Sequence, residues 1–200
     1  MAFDAALRGF DALARPTDVW LGDASSGAEP PYDVHAPPVD PEAFKDALAR
    51  LASGVAIVSY WDRSSANGPT PRGLLVSSIT GLSVEPPRFL FCVRKEASSH
   101  DSLLAASACG IAILTPDEEA EALRFASSAR ATERFTDPRW DLTAPGAPRL
   151  RAGLTSASCV IDQAVDTGGH SIVLVTAAHV VIRAGAPLVA YDRALHALGL

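Results

Sequence analysis

Residues 73–103 read GLLVSSITGLSVEPPRFLFCVRKEASSHDSL. Two runs within them, 73–80 and 88–93 (RFLFCV), are rich in β-branched and aromatic side chains and predict strands. Glu85-Pro86-Pro87 predicts the turn between them, because proline has no N–H to give to a ladder. Hydroxyls crowd the strand ends and the helix start that follows: Ser77, Ser78, Thr80 and Ser83, then Ser98, Ser99 and Ser102. Ser98 or Ser99 can cap a helix running to about Ala106. Such side chains, with backbone N–H groups at a helix start, suit a phosphate or the polar edge of a heteroaromatic ring. They also cap helices and fill turns where nothing binds.

Upstream, Asp40-Pro41-Glu42 offers an N-cap and a first-turn proline, and Phe44, Ala47, Leu48 and Leu51 then share one face until Gly54. A helix over about 41–53 follows, then the strand VAIVSYW and a polar hairpin loop over 62–71. Downstream, GIAILT predicts a strand, and Thr115-Pro116-Asp117-Glu118 has the spacing of a capping box ahead of EEAEALRFAS. Residues 130–150 read as irregular, yet Phe135 and Trp140 are costly to leave in water, so this loop should pack over something. Two long strand-like runs, 154–165 and 170–183, flank Asp166-Thr167-Gly168-Gly169, a hairpin signal, and a last short strand falls at Leu188 to Tyr191.

Six or seven strands joined by hairpins, three helices and no β-α-β alternation predict a mainly β chain with some α. The expected fold is an antiparallel, closed or nearly closed barrel with a few peripheral helices. No Gly-x-Gly-x-x-Gly follows a strand, so a nucleotide would not be held as a doubly wound sheet holds one. Residues 1–40 form an extension: Phe3, Leu7, Phe10, Leu13 and Ala14 lie at helical spacing, and 22–41 carry five prolines. Residues 41–200 form the principal domain.

Composition narrows the function. Of 200 residues 48% are hydrophobic, enough for one well-buried core. Seventeen Lys and Arg against twenty-three Asp and Glu give a net charge of -6 with no basic cluster, which argues against a nucleic-acid partner. No run is long and apolar enough for a bilayer-spanning helix and no secretory signal opens the chain, so a cytoplasmic protein is expected. Cys92, Cys109 and Cys159 are far apart in apolar stretches and read as reduced core residues. The five histidines show no metal-ligand spacing, so no metal is expected. Ser99-His100-Asp101 spells a hydrolase triad, but three consecutive residues at a helix start point in different directions.

The run 73–103 closely resembles the signature of the flavin reductase-like, FMN-binding split-barrel family. Carrying the resemblance are the Ser-Ser pair after Gly73, the Pro-Pro, the apolar strand and the Ser-Ser-His turn. FKDALARLASGVAIVS before it, and LRFAS, ERF and GGHSIVLV after it, fit in the same order, so that roughly 42–192 are covered. The resemblance implies a split barrel with Greek-key-like connections, acting as an NAD(P)H:flavin oxidoreductase. It would pass hydride from NADH or NADPH to N5 of FMN or FAD and supply a partner monooxygenase by diffusion, as a homodimer.

By the same resemblance, Leu75, Val76, Ser77 and Ser78 lie along the flavin ring and ribityl chain. Cys92, Val93, Arg94 and Lys95, with Ser98, Ser99 and His100, hold the phosphate and close the site. His170 places the nicotinamide, and Phe125, with Phe135 and Trp140, lines or covers the flavin. The competing readings are solvated loop cations for Arg94 and Lys95, a surface hairpin histidine for His170, and core packing for the aromatics. Where the family often has Thr, this chain has Leu75, which removes a hydroxyl. Two further functions therefore stay open: a flavin-binding sensor, carrier or accessory subunit, and a flavin-using enzyme acting on an organic substrate in the same pocket.

Overall fold

The computed structural model describes residues 38–199, and the fold set out below is the compact unit Glu42–Leu200. The helix and Pro-rich leader expected over 1–40 lie outside the described residues except for the last three. Helix α1 (Pro41–Ala49) is followed by β1 (Ser53–Gly54), β2 (Ala56–Asp62), β3 (Thr70–Val76), β4 (Thr80–Ser83) and β5 (Arg88–Arg94). Next come α2 (His100–Leu104), β6 (Ala108–Ile113), a 3-10 turn (Pro116–Glu118) and α3 (Glu119–Ala126). After a second 3-10 segment (Ser128–Glu133), the chain runs through β7 (Trp140–Asp141), β8 (Arg149–Leu150), β9 (Thr155–Asp166), β10 (His170–Ile182), β11 (Leu188–Tyr191) and β12 (Ala194–Ala197). Among the described residues no helix is long and apolar enough to cross a membrane.

The main sheet has seven antiparallel strands in the order β3-β2-β6-β9-β10-β5-β4. Its two edges, β3 and β4, are neighbours in sequence, joined by Ser77, Ser78 and Ile79 alone. A flat sheet of seven strands is about 29 Å across, whereas the four chain steps from Val76 to Thr80 reach about 14 Å at most. The sheet must therefore curl until its edges nearly meet. No ladder joins β3 to β4, so the barrel is closed by covalent chain at one end and split along the rest.

At the bridge, Ser78 does the work of a backbone pair. Its hydroxyl donates to the Cys92 carbonyl at 3.3 Å and accepts from the Cys92 N–H at 3.0 Å. The run 73–80, expected as one strand, is thus two strands with the bridge between them. Periodicity could not reveal this break, because Ser77-Ser78-Ile79 is as compatible with a strand as with a crossing.

Strand β2 has nearly every residue buried, since the sheet is covered on both faces there. Ala56, Val58 and Tyr60 point into the barrel with Phe91, Val93, Leu103, Cys109, Ile111, Ala157, Cys159, Val173 and Val175. Val55 and Ile57 point outward against Leu114, Ala122, Phe125, Trp140, Leu150 and Leu188. The predicted capping box forms: the Thr115 N–H and hydroxyl both donate to Glu118 Oε2, at 3.0 and 2.6 Å. Two expectations shift. Helix α1 stops at Ala49 because Ser53 and Gly54 pair with Ala190 and Val189 of β11, and Cys92 is half-buried, whereas Cys109 and Cys159 are buried free thiols in the core.

Replacing Ser78 by Ala removes both bonds across the bridge while leaving a compatible backbone. Each bond contributes roughly 1 kcal/mol net. Urea unfolding of Ser78→Ala should show a loss of about 1–3 kcal/mol; an unchanged midpoint would mean that the link alone, without its pin, holds the edges.

Candidate functional site

The split opens into a cavity of about 700 Å³, within the usual range for small-molecule sites. One wall is β3 from Arg72 to Val76, continued by Ser77 and Ser78; facing it are Cys92, Val93 and Arg94 and the turn Glu96–Ser99, with Phe125, Ala126, Ser128, Arg134 and His170 completing the lining. Strand β3 pairs only with β2, so its other edge faces this space without a partner strand.

Eleven of the fifteen residues singled out from sequence are brought together here: Leu75, Val76, Ser77, Ser78, Cys92, Val93, Arg94, Ser98, Ser99, Phe125 and His170; Phe135 and Trp140 stand behind Phe125 and do not line the cavity. His170 lies beside Arg94, its direct partner across the β5–β10 ladder. Lys95 and His100 do not line the cavity. The Lys95 ammonium is paired with Asp166 at 2.5 Å, and its backbone N–H donates to the Gly169 carbonyl, which ties the β5 turn to the β9–β10 hairpin. His100 is buried, its Nδ1 2.7 Å from Asp101 Oδ1 and its Nε2 3.0 Å from Ser171 Oγ. That line of Asp101, His100 and Ser171 has the order of a hydrolase relay, but Ser171 is only 3% exposed and lies outside the cavity. It anchors α2 to β10.

Packing fixes the wall behind β3. A Cβ on Gly73 would sit 2.7 Å from the Phe125 ring and 2.8 Å from the Val58 carbonyl oxygen, so glycine is required for α3 to lie this close. Phe125 meets Phe135 edge-on at 5.2 Å between ring centroids, and Phe135 meets Trp140 at 4.6 Å. Phe135 adopts a φ of 62°, a left-handed conformation that costs about 1–2 kcal/mol and is held in place by these ring contacts. The loop over 130–150 therefore braces Phe125 from behind, while Phe125 itself touches the cavity.

Sequence reading passed over Arg72, Glu96, Ser128 and Arg134. The Arg134 guanidinium donates to four carbonyls, those of Gly73 (3.0 Å), Arg124 (3.1 Å), Phe125 (3.3 Å) and Ser127 (2.9 Å). It also lies 5.2 Å from the Phe125 ring centroid. Burial, and then the nearby Arg72 charge, hold its pKa below the usual guanidinium value. Arg72 is paired with Asp62 at 3.2 Å. Among the described residues the side chains of Arg94, His170, Ser77, Ser98, Ser99 and Ser128 make no hydrogen bond within the chain. Unspent donors and acceptors thus converge on one apolar-backed space, the arrangement by which a pocket orients a polar ligand.

The family described as "Flavin reductase like domain" matches residues 48–199. "FMN reductase (NADH) RutF" of Variovorax paradoxus is 30% identical over 80% of this chain and 88% of its own length. "Actinorhodin polyketide dimerase" of Streptomyces coelicolor is 32% identical over 80% of this chain and 87% of its own. Among solved structures, BorF, the flavin reductase component of a bacterial two-component tryptophan halogenase, superposes with a TM-score of 0.70 at 28% identity. That match covers 80% of this chain and 98% of BorF.

The bracing loop is held by buried Asp141, which accepts from the Thr143 N–H and hydroxyl and from Arg151 at 2.8 Å. The Arg151 guanidinium first, then the Thr143 hydroxyl, hold the Asp141 carboxyl well below the usual carboxylate range. A depressed carboxyl contributes stability that is complete above the unfolded value, near pH 4, and is lost as pH falls toward the folded one. The stability gap between wild type and Asp141→Asn should therefore be constant above about pH 5 and shrink below about pH 4, as read by urea titration at each pH. A gap that persists into acid would remove Asp141 ionisation from the account.

Proposed function

The chain belongs to the flavin reductase-like domain family, and on that premise we propose that it is an NAD(P)H:flavin oxidoreductase that delivers reduced FMN or FAD to a partner monooxygenase. The observation that carries this reading is the half-lined cavity itself. A bare strand edge, Leu74 to Ser78, faces Cys92–Arg94 across the split, with His170 alongside and unpartnered hydroxyls around them.

The residues fit a flavin. Leu75, Val76 and Cys92 offer apolar contact for a flat ring, and the free edge of β3 and Ser77 offer hydrogen bonds to its heteroatoms. Arg94, with Ser98 and Ser99, offers charge and donors to a phosphate. When bound, the flavin with a nicotinamide nucleotide supplies the hydride chemistry, from nicotinamide C4 to flavin N5. The chain's part is to hold the two rings in contact and keep water out, which is worth more than any acid or base here. His170, exposed at the start of β10 and with no side-chain hydrogen bond among the described residues, would orient the nicotinamide. Leu75, where the family resemblance leads one to expect Thr, packs against the second core as well as the cavity; it would exchange a hydroxyl contact for apolar support.

The relatives named as FMN reductases support NADH as donor, and BorF supports supply of reduced flavin to a second protein. The polyketide dimerase relative favours a second reading, in which the same pocket admits an organic substrate to the flavin. Exposed Phe44, Leu48, Val180 and Ile182 supply apolar surface for a homodimer.

Purified protein should oxidise NADH or NADPH at a rate that depends on added FMN or FAD, followed by the fall in nicotinamide absorbance. No turnover with any pairing overturns the reductase reading; turnover only with a third, organic molecule selects the second. His170→Ala should raise the nicotinamide KM about tenfold, a loss of roughly 1.4 kcal/mol, and raise the flavin Kd less. Sedimentation should give twice the 20.9 kDa chain mass.

A further inference from the structure

Two of the three cysteines face each other across the β6–β9 ladder, outside the cavity lining. Cys109 pairs directly with Cys159, and direct cross-strand partners share a face, here the barrel interior with Ile111, Ala157 and Val175. The Ile161 N–H donates to the Ser107 carbonyl at 3.0 Å. That bond marks 107 and 161 as a hydrogen-bonded pair, and in an antiparallel ladder every second pair repeats the type. Cys109 and Cys159 are therefore a hydrogen-bonded pair too. Their Cα atoms stand about 5.5 Å apart, inside the roughly 4.4–6.8 Å that a disulfide spans.

The two thiols share a hydrogen bond that divides their acidity. That bond from Cys109 lowers the Cys159 thiol below its usual value, while the same bond, and then burial, push Cys109 well above it. Cys159 is thus the nucleophile and Cys109 the thiol that follows it. Burial selects the oxidant. At 0% and 3% exposure, Cys109 and Cys159 are closed to a bulky disulfide, which leaves a molecule little larger than water. Cys92, on the cavity wall, stands apart from the pair.

We propose that Cys109 and Cys159 form a redox staple, in which hydrogen peroxide converts the two thiols to a disulfide that fastens β6 to β9. The Cys159 sulfur attacks one peroxide oxygen and the O–O bond breaks, giving a sulfenic acid and a hydroxide that takes the Cys159 proton as water. The Cys109 sulfur then attacks the sulfenic sulfur, the S–S bond forms, and the sulfenic hydroxyl leaves as water with the Cys109 proton. Two thiols lose two electrons and one peroxide gains them. The bond closes residues 109–159 into a loop that contains α3, Phe125 and Arg134, the elements that back β3. A source of peroxide within the protein's own chemistry rests on the reductase reading, since reduced flavin left unused passes two electrons to oxygen; the cysteine site does not rest on it.

The test treats the folded full chain with dilute hydrogen peroxide, alkylates it in denaturant and measures its mass. The expected product lacks two hydrogens, keeps Cys92 alone open to alkylation, yields peptides joined through Cys109 and Cys159, and regains all three thiols with dithiothreitol. Its urea midpoint should rise, because closing so long a loop narrows the unfolded ensemble. Cys92→Ser should form the same bridge, and oxidised glutathione should leave the folded chain unchanged. Oxygen gained in place of hydrogen lost, a bridge through Cys92, three intact thiols or an unraised urea midpoint overturns the proposal. NADH or NADPH with FMN or FAD in air should build the same bridge, and catalase should prevent it. A bridge formed by added peroxide but never by these cofactors counts against the reductase reading and keeps the staple.

Discussion

Three residues, Ser77 to Ile79, join opposite edges of a seven-stranded sheet, and the architecture follows from that short link. A sheet about 29 Å wide cannot be spanned by about 14 Å of chain unless it rolls up. Rolling brings β3 against the end of β5, and because among the described residues Ser78 alone ties the two there, the remainder of the seam stays open. Fold closure and cavity are one event: the same bridge that completes the barrel supplies part of the cavity wall.

The open seam also leaves a strand edge bare, ordinarily an aggregation liability. Here the edge is turned toward the cavity and backed by α3, whose Phe125 rests directly over Gly73. Arg134 then laces α3, β3 and the segment after α3 together by their carbonyls. A strand edge kept rigid and unpaired is a ready hydrogen-bonding template for a planar ligand whose own edge alternates donors and acceptors. For the proposed reaction rigidity matters because the reacting rings would contribute their own chemistry, and what the protein would contribute is placement.

Much of this was legible in the residues. Alternation and turn chemistry placed the long strands, Thr115 and Glu118 announced their capping box, and the hydroxyl-rich run 77–99 marked the cavity. What escaped had a physical reason. The break inside 73–80 depends on sheet order, a long-range property that no window of sequence contains. Lys95 and His100 belong to the same run as the lining residues, but Asp166 draws one outward and Ser171 draws the other into the core. Arg134 sits in a Pro-, Gly- and Arg-rich stretch that reads as an irregular loop packed over something through Phe135 and Trp140, and its four partners are main-chain carbonyls, which carry no side-chain signature.

On the proposed reading the cavity lining needs no dedicated catalytic acid or base. Hydride transfer between two bound rings would move no proton that the protein must supply at the moment of transfer, so what it would ask of the chain is affinity, orientation and shielding. Affinity for phosphorylated ligands in an acidic protein requires that positive charge be concentrated where they bind and be kept from the chain's own carboxylates. The lining meets this requirement by two means: the Arg94 side chain makes no hydrogen bond or ion pair among the described residues, and Arg134 is restrained by neutral carbonyls. A guanidinium fixed by carbonyls retains its full charge in a set position, whereas one fixed by a carboxylate is largely spent. That difference, between Arg134 and the many paired arginines elsewhere on the molecule, separates a side chain that only braces the structure from one that can also attract a ligand.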